Sequence, residues 1–270
     1  MLKDMIIGFI GGGNMAEALI KGLMAGGTPE ASILVAEPHS ERRRYMSERY
    51  GLNCQEENCE AIVGSDVVVL ATKPQVADKV LQGIGSAGTR GKLFISIMAG
   101  VKTATIEGRL PEGTRVVRVM PNTPALVLEA AAAIAPGANA TGEDIALTCS
   151  IFELVGKAWV VDERLMDAVT GLSGSGPAYV LKFIEALSDA GVKNGLSREI
   201  ATGLAAQTVF GTAKLYIETL EHPAMLRDKV TSPGGTTISG LHVLEKAGFS
   251  GAVIDAVDAA TARSRELGQK

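Results

Sequence analysis

Met5–Ala16 reads MIIGFIGGGNMA: a short apolar run, three glycines and the start of a helix. The run Met5–Ile10 has the length of one strand. Behind the glycines, Met15, Leu19, Gly22 and Leu23 recur at helical spacing through Asn14–Ala25. A strand that turns through glycine straight into a helix opens a βαβ unit. Gly11, Gly13 and Ala16 form G-x-G-x-x-A. The first glycine allows the tight turn, the second lets the backbone approach a pyrophosphate, and the alanine lets helix and strand pack closely. The helix N-terminus then presents free N–H groups and the positive end of its dipole to the anion. The motif alone is a weak signal, but its place between a strand and a helix makes it a specific one.

Working outward, further apolar runs are expected as strands at Ile33–Ala36, Val67–Thr72, Leu93–Met98 and Val116–Met120, with weaker ones at Ala131–Ala135 and Ala158–Val161. Helices are expected at Ser40–Tyr50 and Gly142–Leu154. Strands alternating with helices predict a mostly parallel, doubly wound α/β sheet of the Rossmann type. Runs such as VVVLA suit a sheet covered on both faces. Past about Asp162 the pattern changes to helices alone: Pro177–Asn194, Arg198–Glu218, Pro223–Lys229, Thr237–Ala247 and Gly251–Leu267. The expected division is a Rossmann domain over 1–163 and an all-α domain over 164–270. Ala and Leu lie on more than one face of these helices, as in Ala201–Ala206, so they must be buried somewhere. A dimerisation domain is the economical answer.

Composition narrows the partners. The net charge is −4 with mixed signs, and no Lys/Arg block reads as a nucleic-acid tail. Cys54, Cys59 and Cys149 form no CxxC pair, and His39, His222 and His242 lie far apart, so no metal site is expected. Unpaired thiols fit a cytoplasmic protein. The apolar N-terminal stretch runs into the glycine turn and reads as a strand and not as a signal peptide. No apolar run approaches the ~18 residues of a membrane span.

Glu37 ends the second strand, where an acid meets the adenosine ribose and favours a free 2′-hydroxyl, hence NADH over NADPH. Arg42, Arg43 and Arg44 follow; a solvated helix face is the favoured reading, accommodation of a 2′-phosphate the other. The third strand ends Ala71-Thr72-Lys73-Pro74, and Lys73 either contacts a ligand or is a surface lysine. In Met98-Ala99-Gly100 the small residues suit a nicotinamide ring lying on backbone. Pro121 and Pro124 fix a loop in which Asn122 can hydrogen-bond, a further candidate cofactor contact. Two glycine loops feed helix N-termini in the second half, Ser173–Pro177 with Ser175, and Thr231–Thr237. Either is a ready site for a carboxylate. Capping would explain one of Thr236 and Thr237; two adjacent threonines exceed what a cap needs.

Taken together, GFIGGGNMAEAL (Gly8–Leu19), LATKP (Leu70–Pro74), ISIMAGV (Ile95–Val101), RVMPNTPALV (Arg118–Val127), VTGLSGSGPAYV (Val169–Val180) and DKVTSPGGTTISGLHVLEKAGF (Asp228–Phe249) resemble the pyrroline-5-carboxylate reductase family from end to end. The resemblance implies a Rossmann domain followed by a helical domain that forms an interlocked dimer, with dimers commonly assembling into a decamer. It implies reduction of 1-pyrroline-5-carboxylate to L-proline, the last step of proline biosynthesis, with NADPH or NADH. By position it puts cofactor contacts on Ile10, Gly11, Gly12, Gly13, Asn14 and Met15, on Glu37 and Asn58, on Ala71, Thr72, Lys73 and Pro74, and on Met98, Ala99 and Gly100. It puts substrate contacts on the loop holding Ser232, Gly234, Gly235, Thr236 and Thr237, with Thr237 expected at the imine nitrogen. Many members carry a small hydroxyl residue where this chain has Glu37, which leaves NADH use open.

Two rivals fare worse. The β-hydroxyacid dehydrogenases resemble GxGxxxK, with the lysine as acid/base. Here Gly174-Ser175-Gly176 would place that lysine at Val180, and Lys182 comes two residues late. A non-catalytic dinucleotide-binding module would have no use for Ser-Pro-Gly-Gly-Thr-Thr.

Overall fold

The computed structural model describes residues 2–84 and 89–268. Two compact units are present. One runs to Ser175 and takes in the chain from Ala259 onward; the other is Gly176–Asp258.

The first unit follows the order β1 (Ile7–Ile10), α1 (Asn14–Ala25), β2 (Ile33–Ala36), α2 (Ser40–Tyr50), β3 (Asn53–Gln55), α3 (Asn58–Val63), β4 (Val67–Leu70), α4 (Ala77–Ile84), β5 (Leu93–Ser96), α5 (Thr103–Glu107), β6 (Arg115–Met120), β7 (Ala130–Pro136), α6 (Gly142–Glu153), β8 (Gly156–Val160) and α7 (Met166–Val169). The sheet order is β3-β2-β1-β4-β5-β6-β7-β8. From β3 to β6 every pairing is parallel, and the strand order reverses between β1 and β4. This is the Rossmann arrangement, with its ligand crevice beyond the carboxyl ends at the reversal. β7 runs antiparallel to β6. Only residues 121–129 join them, too few for the crossover of a dozen or more residues that a parallel return needs. α6 supplies such a crossover to β8, which is again parallel to β7.

Every residue of β1, β4 and β5 is buried, as expected of strands covered on both sides. Phe9, Leu19, Val69 and Ile95 pack on one face, and Ile10, Leu70, Ile84 and Phe94 on the other. β3, α3, α4, α5 and α7 were not expected. β3 has no apolar alternation and exists through its pairing with β2, Leu34 to Asn53 onward. After α7 the chain makes a π turn, Thr170–Gly174. That turn and the end of α12 (Phe249–Leu267) belong to the sheet unit. The compact units divide after Ser175 and again after Asp258.

The second unit contains α8 (Gly176–Lys193), α9 (Arg198–Thr219), α10 (Pro223–Lys229), α11 (Thr236–Lys246) and most of α12. α8 and α9 form a hairpin. Ser197 caps α9 by accepting from the Ile200 N–H, and Ser188 and Thr202 share a hydroxyl hydrogen bond of 2.7 Å. Little of the apolar surface is covered: Leu204, Phe210, Ile217, Val243 and Ile254 are all more than half exposed. Among the described residues no helix is long and apolar enough to cross a membrane.

Candidate functional site

The turn after β1 is built from three glycines with three different environments. Gly11 has φ +100°, and a Cβ there would lie 2.8 Å from the Ala71 carbonyl oxygen. Gly12 donates its N–H to Glu37 Oε2 at 2.9 Å. Gly13 is the N-cap of α1 in extended conformation, without a side-chain cap, and a Cβ there would meet no atom within 4 Å. Asn14, Met15 and Ala16 open the helix, so their N–H groups have no intrahelical partner. Open space in front of free N–H groups is the cradle that a pyrophosphate fills, and the residues present fit a dinucleotide.

Glu37 is buried. Its carboxylate accepts from Gly12 N–H, from His39 N–H at 3.0 Å, and pairs with His39 Nδ1 at 2.6 Å. Burial pushes the carboxyl up, but the Gly12 and His39 hydrogen bonds together hold it below the usual carboxylate range. The arginines behind it are not a solvated face. Arg42 is half-buried; its Nε donates to the Gly12 carbonyl at 2.5 Å and its Nη2 to Glu17 at 2.6 Å. Arg43 donates to the carbonyls of Glu37 and Pro38, both at 2.8 Å, and to Glu56. Only Arg44 is exposed. Glu17 also accepts from the Tyr45 and Tyr50 hydroxyls at 2.8 and 2.7 Å. Burial and then the Glu17 carboxylate push the Tyr50 phenol up to about 12. This brace under the glycine turn was not legible in the sequence, because its members are brought together only by α1 packing beside α2.

The strand ends of β1, β2, β4 and β5 gather the other expected residues. The Gly11 turn lies against Ala71 and Thr72, and the Thr72 hydroxyl points to Met98 Sδ at 3.5 Å. Ile10 is buried, Ala99 and Pro74 are exposed, and Gly100 has φ +76°. Lys73 is exposed. Asn58 is the half-buried first residue of α3. The Asn122 amide braces its own surroundings: Oδ1 accepts from Ala131 N–H at 2.9 Å, and Nδ2 donates to the Ser173 carbonyl at 3.1 Å. Ser175 ends the π turn in the sheet unit, its N–H bonded to the Thr170 carbonyl at 2.8 Å.

In the helical unit, Gly234 has φ +67° and Gly235 donates its N–H to the Ser232 carbonyl at 3.0 Å. Capping, the alternative explanation for one of the two threonines, does not hold. Gly235 is the N-cap of α11, with no side-chain cap. Thr236 and Thr237 are already the first two helical residues. A capping residue needs non-helical backbone, which of these residues only Gly235 has. His242 is exposed, and Lys182 is an exposed partner of Glu185. Among the described residues no cluster of three or more His, Cys, Asp and Glu could hold a metal ion.

Residues 163–267 match the family model for pyrroline-5-carboxylate reductase dimerisation, and residues 6–100 match that for NADP oxidoreductase, coenzyme F420-dependent. A pyrroline-5-carboxylate reductase from Synechocystis is 52% identical over 98% of this chain and 98% of its own. The chain belongs to the pyrroline-5-carboxylate reductase family. Solved reductases share the fold over their whole length. That from Coxiella burnetii gives a TM-score of 0.90 at 37% identity, covering 97% of this chain and 98% of the other. That from Plasmodium falciparum, with NADP bound, gives 0.89 at 35%, covering 99% and 100%. Membership places the helical half of the chain, with its uncovered apolar side chains, in the reductases' dimerisation domain.

Proposed function

We propose that the chain reduces 1-pyrroline-5-carboxylate to L-proline, with NADH as the better of the two nicotinamide reductants. The observation that carries the reaction is the α11 N-terminus. Its free N–H groups suit the substrate carboxylate. Among the described residues the Thr236 and Thr237 hydroxyls make no hydrogen bond, so both are available to a ligand. A C=N accepts hydride only once its nitrogen is protonated or hydrogen-bonded. The Thr237 hydroxyl serves that nitrogen, while the Thr236 N–H, with Ser232, Gly234 and Gly235 shaping the loop and Ser175 as a further contact, holds the carboxylate; the Gly235 N–H is already bonded to the Ser232 carbonyl. These groups act by position and by electrostatics. When bound, the reduced nicotinamide supplies the hydride that adds to C5.

Cofactor contacts fall on Ile10–Met15, Glu37, Asn58, Ala71–Pro74 and Met98–Gly100, with Asn122 supporting. Glu37 favours NADH because its buried carboxylate would face a 2′-phosphate, and Arg42 and Arg43 are already engaged. Residues 1–163 bind the dinucleotide. Residues 164–270 bind substrate and form a cytoplasmic homodimer, which assembles further into a decamer.

The test follows NADH and NADPH absorbance after addition of pyrroline-5-carboxylate. Both should be oxidised, NADH with the lower KM, and Glu37→Ser should narrow the difference. Thr237→Ala should lower kcat by about tenfold or more if its hydroxyl bonds to the nitrogen in the transition state. A cofactor that binds without being oxidised defeats the reading, and an unchanged kcat removes the role of Thr237.

A further inference from the structure

Glu163 lies outside the groups described so far. It opens a 3₁₀ turn before α7, yet its carboxylate reaches α5: Oε1 accepts from Thr103 N–H and Oε2 from the Thr103 hydroxyl, both at 2.7 Å. Thr103 is buried and is the first residue of α5, whose own N-cap residue, Lys102, provides no side-chain cap. Behind Glu163 stands Arg118 of β6. It is 3% exposed, its Nη1 is 3.4 Å from Glu163 Oε1, and its Nη2 has no hydrogen-bond partner among the described residues. Packing does not call for a guanidinium there, since Phe94 and Val116 on the same sheet face are apolar. A buried arginine persists when a carboxylate compensates it, so Arg118 fixes where the Glu163 carboxylate sits.

The carboxylate in turn fixes the segment that runs from β5 to α5, residues 97–102. At its two ends Ile97 N–H donates to the Leu70 carbonyl and Thr105 N–H to the Lys102 carbonyl, both at 3.1 Å; between them the ties are long: Met98 N–H to Ser96 Oγ at 3.4 Å, Val101 N–H to the Met98 carbonyl at 3.3 Å, and Thr72 Oγ1 to Met98 Sδ at 3.5 Å. The two-pronged bond at Thr103 is the short one. We infer that Glu163, held by Arg118, is a positioning residue for hydride transfer. It sets the height of Met98-Ala99-Gly100, against which the nicotinamide lies. This rests on the cofactor placement proposed above. Glu163 itself touches neither cofactor nor substrate.

Misplacing a reacting group by about 1 Å can cost on the order of a hundredfold in rate. The adenosine end, held at Gly11–Gly13 and Glu37, should not notice. The full chain is therefore compared with Glu163→Gln, Thr103→Val and Thr103→Ser. Readouts are kcat with NADH and pyrroline-5-carboxylate, and calorimetric affinities for NADH and for ADP-ribose, which lacks the nicotinamide. Glu163→Gln and Thr103→Val should lose roughly tenfold or more in kcat. Thr103→Ser, which restores the hydroxyl, should stay near wild type. ADP-ribose affinity should be unchanged in all three, while the extra affinity of NADH over ADP-ribose shrinks. Unchanged kcat in both Glu163→Gln and Thr103→Val overturns the inference. So does a loss of ADP-ribose affinity in step with kcat, which would mean a loosened domain. If Glu163→Gln does not fold, the Thr103 pair decides. A wild-type chain that leaves the imine unreduced defeats the proposed function instead, and the NADH-to-ADP-ribose comparison then still judges the clamp.

Discussion

Gly11 and Gly13 sit two residues apart for unrelated reasons. Gly11 is required by the protein: φ +100° and a Cβ 2.8 Å from the Ala71 carbonyl oxygen exclude a side chain. Gly13 has φ −68°, open to any residue, and its Cβ direction meets nothing within 4 Å. Only a ligand needs glycine there. Gly11→Ala should therefore lower stability by about 1–3 kcal/mol and weaken cofactor binding. Gly13→Ala should melt at the wild-type temperature while losing at least about tenfold in NADH affinity, about 1.4 kcal/mol. Scanning fluorimetry and calorimetry on the two variants separate these effects; a destabilised Gly13→Ala that still binds NADH would contradict the pyrophosphate reading. These positions were legible in the sequence because turn chemistry is local. Arg42 and Arg43 were not. Gly12 and Glu17, which hold Arg42, and Glu56, which pairs with Arg43, lie 13 to 30 residues away in sequence, and only the Glu37 and Pro38 carbonyls that Arg43 also meets are near. A polar helix read alone looks solvated whichever way its arginines turn. Thr236 likewise reads as a cap until the backbone shows that the helix starts with Thr236 itself, behind an N-cap at Gly235.

Among elements, those with an apolar run or clear end signals of their own declared themselves: β1, β4, β5, β6, α1, α9 and α10 lie within a few residues of expectation. β3 did not, since a three-residue strand is specified by its neighbour and not by its own pattern. Nor did the reversal at β7, which depends on the length of residues 121–129 and not on their composition. Helix α1 shows how packing overrides local preference. Gly22 lies inside the helix, where alanine would ordinarily gain about 1 kcal/mol. Yet a Cβ on Gly22 would fall 2.4 Å from Val155 Cγ1 and 3.1 Å from the Leu154 carbonyl oxygen. Val155 is fully buried and cannot retreat. Overpacking of this kind costs about 1–3 kcal/mol, so Gly22→Ala should be neutral to destabilising, with a lower midpoint in urea despite its better helix propensity. A raised midpoint would show that α1 can slide on the sheet.

For the whole molecule, the second unit poses the larger question, because its helices expose side chains that belong in a core. Phe210 and Ile217 are seven residues apart, on one face of α9, and are 58% and 65% exposed. Such a face in water forgoes roughly 1.5–3 kcal/mol per large side chain. In a two-fold interface each residue occurs twice, so the loss from one substitution is doubled in the dimer. Phe210→Asp should therefore weaken association by more than about a hundredfold, the equivalent of roughly 2.7 kcal/mol. Sedimentation should show a lighter species at micromolar protein. The wild-type melting temperature should rise with protein concentration, as mass action requires when folding and association are linked, and the variant should lose that dependence. ADP-ribose affinity should survive the substitution, since the glycine turn and Glu37 lie in the other compact unit. That contrast gives the measurement its force. Loss of association together with ADP-ribose binding would mean that Phe210 supports the fold of the entire chain. An unchanged sedimentation coefficient would mean that α9 turns another face to its partner.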